Sequence, residues 1–462
     1  MLSFSLAEVA SLVGGTLTGA REQGDERITG DVVIDSRAVA SGSLFVALPG
    51  ERVDGHDYAV AAVGAGAVGV LASRPLGVPT VVVDDTVVAL GRLARAVLDR
   101  LRELTVVGLT GSSGKTSTKD LLAQVLIARG PTVAPAGSFN NEIGLPLTAL
   151  RCDASTRYLV AEMGARGAGH IAALCAIAPP TIGLVLNVGA AHLGEFGTRQ
   201  LIAAAKGELV EALPPDGAAV LNADDPLVAA MAARTRATVT TFGRGNNAEV
   251  RASDVVLDDA ARPSFVLLTP EGRARVQLRG HGEHHVLNAL GTAAVARVAG
   301  VDVDDIAARL GSATPQSQWR MEVIDRADGV TVVNDAYNAN PDSVRAALRA
   351  LVTMGKGRRT WAVLGEMREL GAAAEREHAE IGRFAVGLGI DRVVTVGPGA
   401  HAVYRAATAE RSWSEAPVFV DDVDDAVAVL RADLQAGDVV LVKASRAASL
   451  ERVALSLLED PA

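Results

Sequence analysis

The sequence predicts an α/β protein of three domains: a small α/β N-terminal domain, a central parallel-sheet domain carrying a phosphate loop, and a C-terminal doubly wound, Rossmann-like domain. Three observations predict it. The segment Thr105 to Asp120, TVVGLTGSSGKTSTKD, runs from an apolar strand through a Gly/Ser turn into a helix opened by Lys-Thr. Downstream, short strand patterns alternate with helical ones, which implies a mostly parallel sheet covered on both faces. A second alternation follows residue 317 without a phosphate loop of its own. At 462 residues the chain has room for about three domains of ~150 residues, and 49% hydrophobic residues supply their cores.

The expected boundaries are 1–85, 86–316 and 317–462. In the first part, strands at Val32 to Asp35, Leu44 to Ala47 and Thr80 to Val83 accompany a Gly/Ala-rich helix near Tyr58 to Gly66. A helix from Thr86 to Leu104, with apolar Val88, Leu90, Leu93, Val97, Leu98 and Leu101, leads into the phosphate-loop strand. Strands at Tyr158 to Glu162, Thr181 to Leu186 and Ala218 to Leu221 then alternate with helices at Lys115 to Ala128, Gly169 to Ala178 and Arg199 to Leu213. Glu249 to Leu278 reads as a strand-rich insertion with a Pro-Glu-Gly turn. The last part opens with a hairpin about Asp328-Gly329, followed by strands at Thr360 to Leu364, Arg392 to Val396, Val418 to Val420 and Asp438 to Val442.

Charge and cysteine usage exclude some classes. A net charge of -10, from 54 acidic and 44 basic residues, argues against a nucleic-acid partner. Cys152 and Cys175 are too few for a disulfide framework and suit buried thiols in a reducing compartment. The start MLSFSLAEVASLVGG lacks a basic lead and a signal-peptide core, so a cytoplasmic location is expected. Ile171 to Ala191 carries no charge, but Pro179-Pro180 and Asn187 break it into a helix, a turn and a buried strand, so no membrane span is expected.

The phosphate loop predicts nucleoside triphosphate binding. Its backbone N–H groups, unhindered by a Cβ at Gly111 and Gly114, suit a polyphosphate, and the next helix aims its positive end at the same anion. Lys115 supplies a point charge between the outer phosphates, and the Thr116 hydroxyl is placed to ligate Mg²⁺. The general pattern has a glycine four residues ahead of Gly-Lys-Thr, where this chain has Leu109, so the loop is a narrower variant. Glu162 ends a strand at the carboxyl edge, where open α/β sheets hold ligands, and offers a metal carboxylate. Asn187 and His192 follow another buried strand, and Lys206 lies in the helix AAAKGELVEAL; alone, each suits an ordinary surface role as well.

Together these residues resemble the Mur ligase family, the ATP-dependent amide-forming enzymes of peptidoglycan synthesis. The resemblance runs from about Asp35 to Glu451. TGSSGKTS matches the family's phosphate loop, which implies nucleotide contacts from Thr110, Gly111, Ser112, Ser113, Gly114, Lys115, Thr116 and Ser117. Glu162 in VAEMG and His192 in NVGAAHLGEFG match its second-metal ligands, and Lys206 matches a lysine carried as a carbamate. Arg320 in QWRMEVI resembles the arginine that reaches the ATP phosphates, and Asp335 in NDAYNANPDS the acidic residue beside the nucleotide. Asn288 matches an asparagine near the adenine, whereas His285 stands where the family has another asparagine.

Within the family, DSRAVASGSLFVALPGERVDGHDY, SFNNEIGLPLTAL and VLGEMRELG with His378 resemble the member that joins D-alanyl-D-alanine to UDP-N-acetylmuramoyl tripeptide. The resemblance implies a UDP-substrate-binding N-terminal domain, a central ATP-binding domain, and a C-terminal domain that closes on ATP and binds the dipeptide. Ser36 and Arg37 beside Asp35 are suited to the uridine diphosphate, and Asn140, Asn141, Tyr337, Asn338 and Asn340 are expected to meet substrate. ATP would convert the tripeptide carboxylate to an acyl phosphate, with Lys115, Arg320 and Mg²⁺ neutralising charge and His192 and Lys206 completing the catalytic set. A monomer is expected. The alternatives are the preceding ligase that adds the third amino acid, a folylpolyglutamate-type ligase, and a nucleotide switch that ligates nothing.

Overall fold

The computed structural model describes residues 2–19, 25–50, 53–191, 193–410 and 415–459. Three main sheets carry the chain. The N-terminal one has the order Thr16–Thr18, Thr80–Val82, Gly69–Ala72, Leu44–Val46, Val32–Val33, parallel except at its first pair. Helix Thr86–Leu98 then crosses toward the central sheet, capped by Asp85, whose carboxylate accepts from Val87 N and Val88 N. Leu90, Leu93 and Val97 define its buried stripe, but Val88 is 49% exposed. Val88 lies about 200° around the helix from Leu90, so it faces away from that stripe.

The nine-stranded central sheet places Thr105–Thr110 between Tyr158–Glu162 and Ile182–Val185, all parallel. Continuous apolar runs suit strands buried on both faces. On one face helix Lys115–Leu126 packs with His285–Val298 around Leu109, Leu122 and Leu290. On the other, His170–Ile177 and Arg199–Glu211 share a core with Thr86–Leu98. The register pairs Leu109 with Glu162 and Thr110 with Val185, so the phosphate loop, Glu162 and the segment after Val185 leave the sheet together at its carboxyl edge. Strand order reverses about Thr105–Thr110, which opens the ligand crevice there.

One expectation needs correction. Val250–Leu257, Pro263–Thr269 and Gly272–Gln277 are not an insertion but continue the central sheet, the first parallel to Thr238–Gly243 and the others as antiparallel hairpins. Their alternating burial leaves one apolar face, which Val303–Ser312 helps to cover. Thr238–Gly243 itself is a strand that the sequence reading leaves unassigned.

The C-terminal sheet runs Glu322–Asp325, Thr331–Asn334, Val439–Lys443, Thr360–Leu364, Arg392–Val396, Val418–Val420, parallel after its first antiparallel pair. Helices on both faces give it separate apolar cores. Its largest buried side chain, Trp361, donates Nε1–H to Asp438 at 2.9 Å, and the same carboxylate takes Arg359 at 2.7 Å and Gln435 N at 3.0 Å. Asp438→Ala strands a buried indole donor and half-releases an arginine, so it should destabilise this domain by about 3 kcal/mol. Urea unfolding followed by tryptophan fluorescence checks this; a loss under about 1 kcal/mol would refute the role given to Asp438.

Candidate active site

A cavity of about 930 Å³ opens at the carboxyl edge of the central sheet, between it and the C-terminal domain. Ser112 to Ser117, Asn140, Asn141, Glu162 and Asn288 line it from the central domain, and Arg320, Asp335, Tyr337, Asn338 and Asn340 from the C-terminal one. Thr110, Gly111 and Lys206 are not in that lining, and neither are Ser36 and Arg37. His192 lies outside the described residues.

The phosphate loop is tightly braced. Gly114 starts helix Lys115–Leu126 with φ +83°, and a Cβ there would stand 2.4 Å from Asn288 Oδ1, so only glycine fits. Gly111 has a packing reason too, since its Cβ would stand 2.9 Å from Leu186 Cβ. The loop amides are not all free, as the sequence reading had them. Asn187 Oδ1 accepts from Ser112 N at 3.0 Å and Ser113 N at 2.9 Å, and its amide donates to Ser113 O at 3.1 Å. Lys115 Nζ folds back onto Gly111 O at 2.7 Å. Burial holds its pKa below the ordinary lysine value, while the Glu162 carboxylate works in the opposite sense.

Beneath the loop, Glu162 is fully buried. Its Oε1 accepts from Asn140 Nδ2 at 2.8 Å, Ser138 Oγ at 3.0 Å and Thr116 Oγ1 at 3.3 Å, whereas Oε2 has no hydrogen-bond partner among the described residues. Lys206 is buried at 3% exposure, and among the described residues no hydrogen bond or ion pair holds its amine. Burial first, and repulsion from Lys115 second, push its pKa well below that of a free lysine, toward the neutral amine. A surface role for this residue is therefore ruled out.

On the facing wall the Arg320 guanidinium stacks 4.2 Å from the Tyr337 ring centroid, with Nε lacking a partner among the described residues. Asp335 pairs with Lys443 at 2.6 Å and accepts from Met321 N at 3.1 Å. Trp319 and Met321, on either side of Arg320, both have left-handed backbones, at φ 58° and 50°. Asn340 caps helix Pro341–Met354 and donates to Ser113 Oγ at 3.0 Å, joining the C-terminal domain to the phosphate loop.

The histidines serve different ends. His281 Nδ1 bonds Ala260 O at 2.7 Å. His284 and His285 stack with ring centroids 4.4 Å apart; burial lowers the first to about 4 and the second well below its usual value, so both are neutral. His378 donates Nδ1–H to Ala374 O and accepts Met367 N at Nε2, stapling the loop after Leu364. Asp35 and Arg37 pair with each other at 2.7 Å within one turn, which lowers the Asp35 carboxyl to about 2.

Sequence reasoning missed Lys443 as the partner of Asp335, and Asp342, which accepts from Ala190 N at 3.2 Å. A lysine ending an otherwise apolar strand was the available signal for the first; nothing local marked the second. Cys152 and Cys175 are buried free thiols, both pushed up to about 12 by burial.

Comparisons with known proteins bear on this geometry. Three family descriptions match: Mur ligase family, catalytic domain over residues 30–97; Mur ligase middle domain over 109–296; and Mur ligase, glutamate ligase domain over 319–446. The UDP-N-acetylmuramoyl-tripeptide–D-alanyl-D-alanine ligase of Mycobacterium tuberculosis is 50% identical, across 100% of this chain and 98% of that protein. The structure of UDP-N-acetylmuramoylalanyl-D-glutamyl-2,6-diaminopimelate–D-alanyl-D-alanyl ligase from Acinetobacter baumannii superposes with a TM-score of 0.85 at 30% identity, covering 100% of this chain and 99% of that one. A MurF ligase from Thermotoga maritima in complex with ADP gives 0.80 at 32% identity, over 94% of this chain and 97% of that one. With full-length relatives of this kind and all three domain descriptions matched in order, the chain belongs to the Mur ligase family.

Proposed function

We propose that this protein is the ATP-dependent ligase that joins D-alanyl-D-alanine to UDP-N-acetylmuramoyl tripeptide. The observation that carries the reading is the cavity between two domains, whose lining residues Ser112, Glu162, His284, Asn288 and Arg320 each hold a buried polar atom with no hydrogen-bond partner among the described residues. The names of the relatives specify the substrates and, through the ADP complex, the nucleotide. In this reading the domains divide near residues 85 and 316, and the protein acts as a cytoplasmic monomer. Among the described residues no helix is long and apolar enough to cross a membrane.

A carboxylate and an amine do not condense unaided in water, so the tripeptide carboxylate is first phosphorylated by ATP and the dipeptide amine then displaces phosphate. The residues at hand position and neutralise. Lys115 leaves Gly111 O for the phosphoryl group, and Arg320 leaves the Tyr337 face to meet the same charge. Asn340 and Asp342 draw the C-terminal domain over the loop, which shields the activated carboxyl from water. Asn288 and neutral His285 line the nucleotide side.

The donor set fits Mg²⁺. Among the described residues no cluster of three His, Cys, Asp or Glu occurs, but Mg²⁺ favours one or two carboxylates plus phosphates and water over an all-protein cage. Thr116 would hold the Mg²⁺ that accompanies the nucleotide, and Glu162, whose Oε2 has no hydrogen-bond partner among the described residues, would hold a second with His192 and a carbamylated Lys206. When bound, Mg²⁺ supplies charge neutralisation on the phosphates. An ammonium at Lys206 would oppose a cation there, whereas its buried, neutral amine is the form that reacts with CO₂ to give an anionic carbamate.

An acceptor screen tests the assignment. With ATP and Mg²⁺, product mass and phosphate release should appear only for the tripeptide nucleotide with D-alanyl-D-alanine or near analogues. Equal turnover of a single amino acid on the dipeptide nucleotide would move the assignment to the preceding ligase, and ADP release without an acceptor would favour a switch.

Lys115→Ala should lose about 10³-fold in turnover while remaining folded by circular dichroism, the scale of a major electrostatic stabiliser. Near wild-type ligation would refute its phosphoryl role.

Lys206→Ala should be inactive, yet partly recover with added short carboxylates that refill the space with an anion, while Lys206→Arg should not recover. ¹³CO₂ NMR of the folded protein reads the carbamate directly. Full activity in CO₂-depleted buffer, with no carbamate signal, would rule it out.

A further inference from the structure

Lys119 and Asp120 form a buried ion pair on helix Lys115–Leu126, at 2% and 5% exposure, that the proposed chemistry does not use. Neither lines the main cavity. A buried pair contributes little net stability over apolar side chains of similar volume, so what it bonds matters more than its charge. Lys119 Nζ donates to Pro135 O at 2.8 Å, three residues before the Ser138 that bonds Glu162, and to Ser317 Oγ at 3.3 Å. Asp120 accepts from Gln316 N at 3.3 Å, Ser317 N at 3.0 Å and Ser317 Oγ at 3.2 Å.

One helical turn on, Gln124 completes the hold. Its amide donates to Thr314 O at 2.9 Å and its Oε1 accepts from Thr314 N at 3.1 Å, so both backbone groups of that residue are taken. Residues four apart share one helix face, so Asp120 and Gln124 meet the linker together, and Pro315 between the two grips fixes its own φ. The linker between the domains is thereby bonded to the helix whose first residues, Lys115 and Thr116, belong to the phosphate loop.

Arg320 lies three residues past Ser317, and both line, with Asp120 and the phosphate-loop Ser117, a second cavity of about 30 Å³. Three residues span at most about 11 Å, which bounds the distance of Arg320 from its anchor. Without the bonds at 314–317 the preceding fixed point is Ala313, whose N–H donates to Arg309 O at 2.9 Å. The reach from there is about 25 Å of chain. The volume open to Arg320 grows with the cube of that reach, by about 10-fold, and its effective concentration at the phosphates falls accordingly.

In the ligase reading, on which this inference rests, Arg320 meets the phosphoryl charge. We infer that Lys119, Asp120 and Gln124 are positioning residues for Arg320: by bonding the linker to the phosphate-loop helix they set the guanidinium's distance from the phosphates that the same helix binds, without touching nucleotide or substrate themselves.

The test is a double-mutant cycle read by phosphate release with the tripeptide nucleotide, ATP, Mg²⁺ and D-alanyl-D-alanine. Gln124→Ala, and Lys119→Met with Asp120→Ala, which removes both charges so that neither is left buried alone, are each made in the wild type and in Arg320→Ala. In the wild type each should lower kcat by about 10-fold and leave KM for ATP within about 2-fold. In the Arg320→Ala background the same changes should cost less than about 2-fold, because the group they position is gone. Circular dichroism checks the fold; if the paired replacement does not fold, Gln124→Ala, which removes no charge, decides alone. An unchanged kcat in Gln124→Ala, or equal losses in both backgrounds as a merely structural role requires, would overturn the inference while leaving the ligase assignment standing. No turnover by the wild type would overturn the assignment and the inference with it.

Discussion

Burying a carboxylate is costly unless its oxygens are bonded, and Glu162 has one oxygen bonded three times and the other bonded to nothing among the described residues. That asymmetry organises the site. The bonded oxygen ties together the phosphate-loop helix through Thr116 and the 138–142 loop through Ser138 and Asn140. The open oxygen supplies a negative focus in a region that also holds Lys115 and Lys206. Burial and repulsion from Lys115 push Lys206 toward its neutral form there.

The C-terminal domain is part of this arrangement. Asn340 meets Ser113, Asp342 meets Ala190 N, and Gly194 N donates to Glu369 O at 2.8 Å. Where the backbones pass, a Cβ on Gly194 would stand 2.5 Å from Gly371 N, so two glycines allow a contact that side chains would prevent. The connection between the domains is held from the central side by Asp120, which accepts from Gln316 N at 3.3 Å and Ser317 N at 3.0 Å. Just beyond, Trp319 and Met321 adopt left-handed backbones uncommon for such residues. The anchored linker followed by these left-handed joints sets Arg320 in the lining of the cavity between the two domains.

Much of this was legible in advance. The spans Tyr158 to Glu162, Thr360 to Leu364, Arg392 to Val396 and Val418 to Val420 are read directly from apolar runs, because a strand buried on both faces needs little more than that pattern. The phosphate loop and its helix are equally local, since glycine, lysine and threonine at fixed spacing carry their own geometry. Strand Thr238–Gly243, threonine-rich, and the hairpins after it were not assigned to the sheet, for their membership depends on which edge they find.

The sequence by itself determined the α/β class, the glycine turn between strand Thr105–Thr110 and helix Lys115–Leu126, and the residue types gathered at the strand ends, all of which follow from short-range periodicity and backbone chemistry. Only the tertiary structure decided that Asn187 occupies two loop amides, that Lys443 answers Asp335 and that Lys206 is buried. The physical reason is that the partner and solvation of a polar side chain are set by the segments that meet it in space, and those lie up to 227 residues away along the chain.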